Sequence, residues 1–274
     1  MGLFNVEKGQ RSSLLRKVTI GAALAAYLAA GVFAEYWLST LKSTQLGQDF
    51  YIYYQAYRKV QEGGNPYVPY KIGQSFIYHP SALTFVSPFI VRERGPLPYI
   101  IWSAFSAAAW LVAVFITLRM NEDDGQNKRA IYLIFFLFLC FAPFFENLHV
   151  GQIDSFVVLF LCLSLYWAER RRDTLAGLVL ALAILLKLTP LLFLACFLAL
   201  RRYRVAVTAL LGLLLLNVVT VIQFSPRPLV QFWDMLPQLL AEVHPSPYNQ
   251  SFLSIAFQVL RRWELTKLDR AIAL

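Results

Sequence analysis

Residues 174–200 read TLAGLVLALAILLKLTPLLFLACFLAL, and the number of helices in this apolar stretch decides how the rest of the chain is placed. Arg170, Arg171 and Arg172 precede it, and Arg201, Arg202 and Arg204 follow. A single span would put those flanks on opposite sides of a membrane, against the tendency of Lys and Arg to stay on the cytoplasmic side. Two short helices avoid this, and Thr189-Pro190 favours the break. Proline removes a backbone donor and disfavours helix at the residue before it. We therefore read a hairpin whose apex carries Lys187 to the outer side, at or below the interface.

Composition supports the membrane setting. The 274 residues are 58% hydrophobic and 15% charged, with mean hydropathy +0.54. A soluble domain carries about 25% charged residues. The expected fold is all-α, a polytopic transmembrane helical bundle of about seven spans, at roughly 18–38, 99–118, 131–145, 154–168, 174–187, 190–200 and 204–223. Lys8, Arg11, Arg16 and Lys17 place the N-terminus in the cytoplasm. Val32-Phe33-Ala34 loosely resembles a cleavage site, but the run from Val18 to Leu38 exceeds a usual signal core, so a retained first span is expected. Parity then puts the 119–130 loop and both arginine clusters inside, with thirteen of the 25 Lys and Arg. The whole chain, 1–274, reads as one integral domain of the cell (inner) membrane. It has an outer loop at 39–98, a polar outer turn at 146–154, the broken hairpin at 174–200 and an outer C-terminal segment at 224–274. The net charge of +9 is spent on these flanks, not on one basic face, which excludes a nucleic-acid partner. Cys140, Cys162 and Cys196 sit in apolar blocks as small hydrophobes.

The first outer loop has structure of its own. Phe50, Tyr53, Tyr54 and Tyr57 fall on one face of a helix that Gly63-Gly64-Asn65-Pro66 ends. A second helix starts at Pro80 and runs toward Pro88. Leu229–Val243 has the same interfacial character.

The same parity gathers His79, His149, His244, Asp49, Glu146, Gln152, Asp154, Lys187, Asn249 and Gln250 on the outer side. Chemistry is therefore expected at a face turned to the periplasm or the exterior. Asp49 reads either as an N-cap of the aromatic helix or as a general base open to an acceptor hydroxyl. Glu146 to Asp154 form a short turn, richer in polar groups than a connection needs. Lys187, flanked by Leu185-Leu186 and Leu188, is either a snorkelling lysine or the partner of a buried anion such as a lipid phosphate. Tyr67, Tyr70 and Tyr78 read as interface residues.

Gln48-Asp49-Phe50 with Tyr53-Tyr54, Gly64-Asn65-Pro66-Tyr67 and Tyr78-His79-Pro80 together resemble glycosyltransferase family 87. Further on, the resemblance continues through Gly151-Gln152, Ala176-Gly177, Leu182-Ala183, Lys187-Leu188-Thr189-Pro190, Arg201-Arg202-Tyr203-Arg204 and Asn249-Gln250-Ser251. It implies a GT-C type enzyme that moves a sugar, mannose in the family's pattern, from a polyprenyl-phosphate donor to a lipid or glycan acceptor with inversion. Asp49 would be the catalytic base, and Lys187, with His149 or an outer Arg second, would stabilise the leaving phosphate. Gln152, His79, Tyr53, Asn249 and Gln250 complete the implied donor and substrate set. The lone acid at Asp49, with no Asp-x-Asp pair, implies no metal and no cofactor. Members are longer, and after Ser251 too few apolar residues precede Arg261-Arg262 for another crossing. The chain is thus expected to be truncated, or to keep only the seven-span part that GT-C enzymes share. A lipid or solute transporter would also use a broken helix, but no inverted repeat is visible and the long outer loops suit an enzyme. An inactive, truncated family member is the third reading.

Overall fold

The computed structural model of the chain describes residues 46–69, 75–90, 96–122 and 141–241. The expected spans at 18–38 and, for the most part, 131–145 lie outside these residues, as do Tyr70, Cys140, His244, Asn249, Gln250 and Arg261-Arg262. All regular structure among the described residues is helical. The chain divides into two units, Met1–Pro228 and Leu229–Leu274.

In the first unit, α1 (Gln48–Gln61), α2 (Ser81–Val86) with a 3-10 turn at Ser87–Phe89, and α3 (Leu97–Glu122) come first. Then follow α4 (Ala142–Val150), α5 (Asp154–Glu169), α6 (Asp173–Leu186), α7 (Leu191–Ala199) and α8 (Tyr203–Phe224). Two of these are long and apolar enough to cross a membrane, over Leu97–Met120 and Tyr203–Phe224. At 1.5 Å per residue they reach roughly 36 and 33 Å, against a hydrocarbon core of about 30 Å. The others are shorter: α5, α6 and α7 reach about 24, 21 and 14 Å. Seven full crossings are therefore not shown.

The long helices keep large side chains outside. Leu210, Leu211, Leu214, Leu215 and Ile222 on α8 are exposed, Ile222 by 80%. Ile100, Phe105, Val112 and Phe115 do the same on α3. Helices facing water would carry polar residues there; contiguous leucine faces of this size belong in hydrocarbon or against a partner.

Small residues set the inner packing. Gly177 of α6 meets α8 so closely that a Cβ would collide with Thr208 Oγ1 and the Val205 carbonyl. One turn further, a Cβ at Gly212 would lie 2.8 Å from the Ala181 Cβ. The order of these contacts makes α6 and α8 parallel. The connection between them runs back along α7, broken from α6 at Lys187–Pro190. Arg202 closes the base of this hairpin, donating to the Ala168 carbonyl and the Asp173 carboxylate. α5 runs antiparallel to α6, tied by Ser164 Oγ donating to the Ala176 carbonyl at 2.9 Å.

One end of the bundle is basic. The turns after α5 and α7 put Arg171 and Arg201 in the left-handed region, at φ 58° and 57°. In both, the next amide reaches back five residues, from Arg172 to the Trp167 carbonyl and from Arg202 to that of Phe197, each at 2.8 Å. This is the six-to-one bond of a Schellman ending. The opposite end holds α1 and α2. There the fully buried Thr220 hydroxyl lies 2.8 Å from Ser81 Oγ and 3.1 Å from Thr84 Oγ1, and Tyr57 packs edge-on to Phe224.

The last described helix, α9 (Arg227–Ala241), lies in the second unit from Leu229 on; it contains Pro237 and buries Phe232 and Met235 while exposing Val230 and Trp233.

Replacing Gly177 with Val should separate α6 from α8 and lower stability by about 1–3 kcal/mol, read as a fall in the thermal midpoint of the solubilised protein. Leu211→Val, on the exposed face of α8, should stay within about 0.5 kcal/mol of the parent.

Candidate active site

The site is built from the C-terminal end of α4. A helix end leaves carbonyls without intrahelical partners, and here neighbours supply them. Gly151, at φ 75°, ends α4 with its amide on the Asn147 carbonyl at 3.0 Å, and Gln152 N–H follows onto the same oxygen at 2.9 Å. The Tyr99 hydroxyl donates to the carbonyls of Leu148 (2.8 Å) and His149 (3.1 Å). Trp102 Nε1 donates to the Gly151 carbonyl at 3.0 Å. Ser155 Oγ donates to Asn147 Oδ1 at 2.9 Å, bracing the turn from inside.

The last donor comes from the segment before α1. Gly47 N–H reaches the His149 carbonyl at 2.7 Å. Gly47 is left-handed (φ 70°), and a Cβ there would lie 2.9 Å from the Tyr99 ring. One residue later α1 begins, so Asp49 falls in its first turn and Phe50 packs onto Gly151, where a Cβ would lie 2.8 Å from the Phe50 Cβ. The helix begins at Gln48 with no side-chain cap, so the N-cap reading of Asp49 does not hold.

Asp49 is half-buried and accepts a hydrogen bond from the Gln152 side chain. Burial raises its pKa above the ordinary 3.8; the Gln152 bond opposes this, the Asp154 charge adds to it and the Lys187 charge opposes it. Asp154 is the first residue of α5 and Lys187 immediately follows α6. The Lys187 ammonium bonds both Asp154 oxygens, at 2.8 and 2.9 Å. The cation that the sequence paired with a lipid phosphate thus has a carboxylate partner within the fold. One turn after Asp49, Tyr53 is buried against Tyr78, whose ring centroid is 5.3 Å away, and against Trp102. Burial, with the charges of Asp49 and Asp154 nearby, pushes the Tyr78 phenol up to about 12.

The structure therefore brings Asp49, Tyr53, Gln152 and Lys187 together, and adds Asp154 and Tyr78. His149 is only 2% exposed and contributes its carbonyl to the frame. His79 serves the start of α2, its Nδ1 accepting the Ser81 amide at 3.3 Å. The segment from Glu146 to Val150 is helix, not turn: the polar stretch expected at 146–154 narrows to Gly151–Ile153, with Glu146 exposed. Tyr67 is buried and not interfacial; its hydroxyl donates to the Tyr78 carbonyl at 3.0 Å. Asn249 and Gln250 lie outside the described residues. Among the described residues no three metal-ligating side chains gather. The sequence signal for Asp154 was a lone cation in an apolar run, which calls for an acid on a facing helix. Asn147 carried no such signal.

The arrangement offers a carboxyl with raised proton affinity beside a cation, where α1 and α2 meet the bundle. A model of the family described as Glycosyltransferase family 87 matches residues 76–274. The match takes in Gln152, Asp154 and Lys187 and starts downstream of Asp49 and Tyr53. No curated protein and no solved structure matches the chain.

His79 supplies a pH test of the frame. Burial lowers its pKa from 6.5 to about 4, so the folded chain keeps it neutral while the unfolded chain protonates it. Stability then rises with pH across that window and is lost as pH falls from 6.5 toward 4, by on the order of 3 kcal/mol. His79→Asn, whose Oδ1 can accept the same amide, should flatten this part of a thermal-midpoint profile between pH 7 and 4.

Proposed function

The chain belongs to glycosyltransferase family 87, and on that premise we propose that it transfers a sugar, mannose, from a polyprenyl-phosphate donor to an acceptor hydroxyl with inversion. The observation that carries the reading is the half-buried Asp49 carboxyl beside Gln152 and the Lys187–Asp154 pair. A base with raised pKa is better matched to proton transfer near neutrality than an ordinary aspartate.

In this reading the acceptor oxygen attacks the anomeric carbon from the face opposite the phosphate. The acceptor proton goes to Asp49, and the sugar–phosphate C–O bond breaks with its electron pair on the phosphate. Lys187 stabilises that departing charge, a role a pre-positioned cation performs without reorganisation. Gln152 holds the Asp49 carboxyl in orientation. The half-buried Tyr78 gives the sugar an aromatic face, Tyr53 backs it from within the core, and the acceptor is a lipid or a glycan. His149 supports the turn, and His79, Asn249 and Gln250 belong to the outer substrate region by resemblance.

The setting is a membrane, which the exposed apolar faces of α3 and α8 and the family membership both favour. Arg119, the Arg170–Arg172 turn and the Arg201–Arg204 turn lie at the bundle end away from Asp49. By the positive-inside tendency, this orientation directs the basic end and the N-terminus to the cytoplasm, and the site to the outer face of the cell membrane.

Asp49→Asn should lower turnover by about 10²–10⁴-fold in membranes supplied with a polyprenyl-phosphate sugar, while the protein still inserts and binds donor. Full activity in that variant, or transfer from a nucleotide sugar alone, would remove the proposal. Activity should fall as pH drops through the Asp49 pKa, on a limb above pH 3.8. Gln152→Leu removes the hydrogen bond that lowers this pKa and should move the limb to higher pH. Lys187→Ala should weaken donor binding; an unchanged affinity would leave Lys187 a structural partner of Asp154 alone.

A further inference from the structure

We propose that Asp154 is a positioning residue that holds Lys187 between turnovers and reclaims it from the phosphate product, so that Lys187 changes partners once per cycle. The inference rests on the donor reading given above.

Three observations carry it. First, the pair is two-pronged, with the ammonium 2.8 and 2.9 Å from the two Asp154 oxygens, so the lysine is aimed rather than free to snorkel. Second, the two side chains are 37% and 34% exposed, open enough for a ligand to compete. A pair at this exposure is weak, which suits an exchangeable contact. Third, the helices do not depend on the pair for their packing. α5 and α6 are joined toward their other end, near the turn between them, by Ser164 and Ala176, and Leu180 and Ile184 of α6 lie in the core they share with α8. Both partners also sit where a helix meets its turn, with Asp154 beginning α5 and Lys187 in extended backbone after α6. Their backbones are thus fixed while their heads stay reachable.

Charge explains why such a counter-anion is useful. The donor is a phosphodiester with one negative charge. When the C–O bond breaks, the product is a monoester that approaches two, because its second pKa is near 6. Lys187 therefore holds the product more tightly than the donor, and an unopposed cation would slow release. Asp154 competes for the same ammonium, and its own charge repels the dianion. Asp49, protonated by the acceptor during the step, adds no repulsion until it gives up that proton. The Asp49 repulsion is thus absent during transfer and returns afterwards, while Asp154 offers the ammonium its alternative partner throughout.

The test uses the full chain in lipid nanodiscs with farnesyl monophosphate as the probe, its dissociation constant read by calorimetry. Asp154→Asn should tighten binding about two- to fivefold, the range an exposed ion pair allows. Asp154→Ser, which keeps a hydrogen-bonding group at the start of α5, should do the same and serves if the Asn variant does not fold. Asp154→Glu should bind as the parent does. Lys187→Met should weaken binding, and in that background the gain from Asp154→Asn should shrink below about twofold. Binding by the parent with no gain, or a loss, in both Asp154→Asn and Asp154→Ser overturns the partner exchange and leaves the transferase reading intact. A gain undiminished in Lys187→Met also overturns it. If neither parent nor variants bind the probe, the donor reading falls, and this inference with it.

Discussion

The end of α4 must find donors for its last carbonyls, and the site follows from where they come from. No intrahelical amide can reach those oxygens, so Gly47, Tyr99 and Trp102 are drawn to one turn. Gly47 brings the start of α1 with it and thereby Asp49. Tyr99 and Trp102 bring the start of α3, the first of the two long helices. Glycine is required at both contact points, because each is left-handed and pressed against a neighbour. A hydrogen-bonding need of the backbone thus sets the place of the side chain proposed above as the base.

Much of this was legible in the sequence, and the remainder was hidden for definite reasons. Periodicity and Pro190 are local signals, so helix type and the break after Lys187 could be read directly. The Asp49 cap reading failed because Gly47, not Asp49, occupies the position before the helix, and its left-handed backbone is fixed by a tertiary bond to His149. The partner of Lys187 lies 33 residues away, and only the packing register of α5 on α6 makes it adjacent. Tyr67 looked interfacial by composition. It is buried because Asn65 Oδ1 receives its amide and turns the chain inward.

Hydropathy had little power over the faces of the helices. Leucine lies on both sides of α6 and α8, so apolar character cannot say which side meets protein. Size can. Gly177, Ala181, Ala206, Ala209 and Gly212 mark the seam because a membrane gives no hydrophobic drive for helices to associate, and close backbone approach must supply the attraction. The larger side chains on the opposite face of α8 are left for lipid tails.

Arg171 and Arg201 carry a consequence for anyone seeking a sturdier version of this protein. A left-handed residue other than glycine costs roughly 1–2 kcal/mol, so both turns are natural targets for thermostabilising glycines. Each replacement would also erase a positive charge from the basic end of the bundle, and on the topology proposed above such charges help to set the direction of insertion. A library screened for heat resistance alone would favour chains that are better folded and less certain of their direction in the membrane. On that topology, folding strength and orientation act on the same two residues in opposite senses.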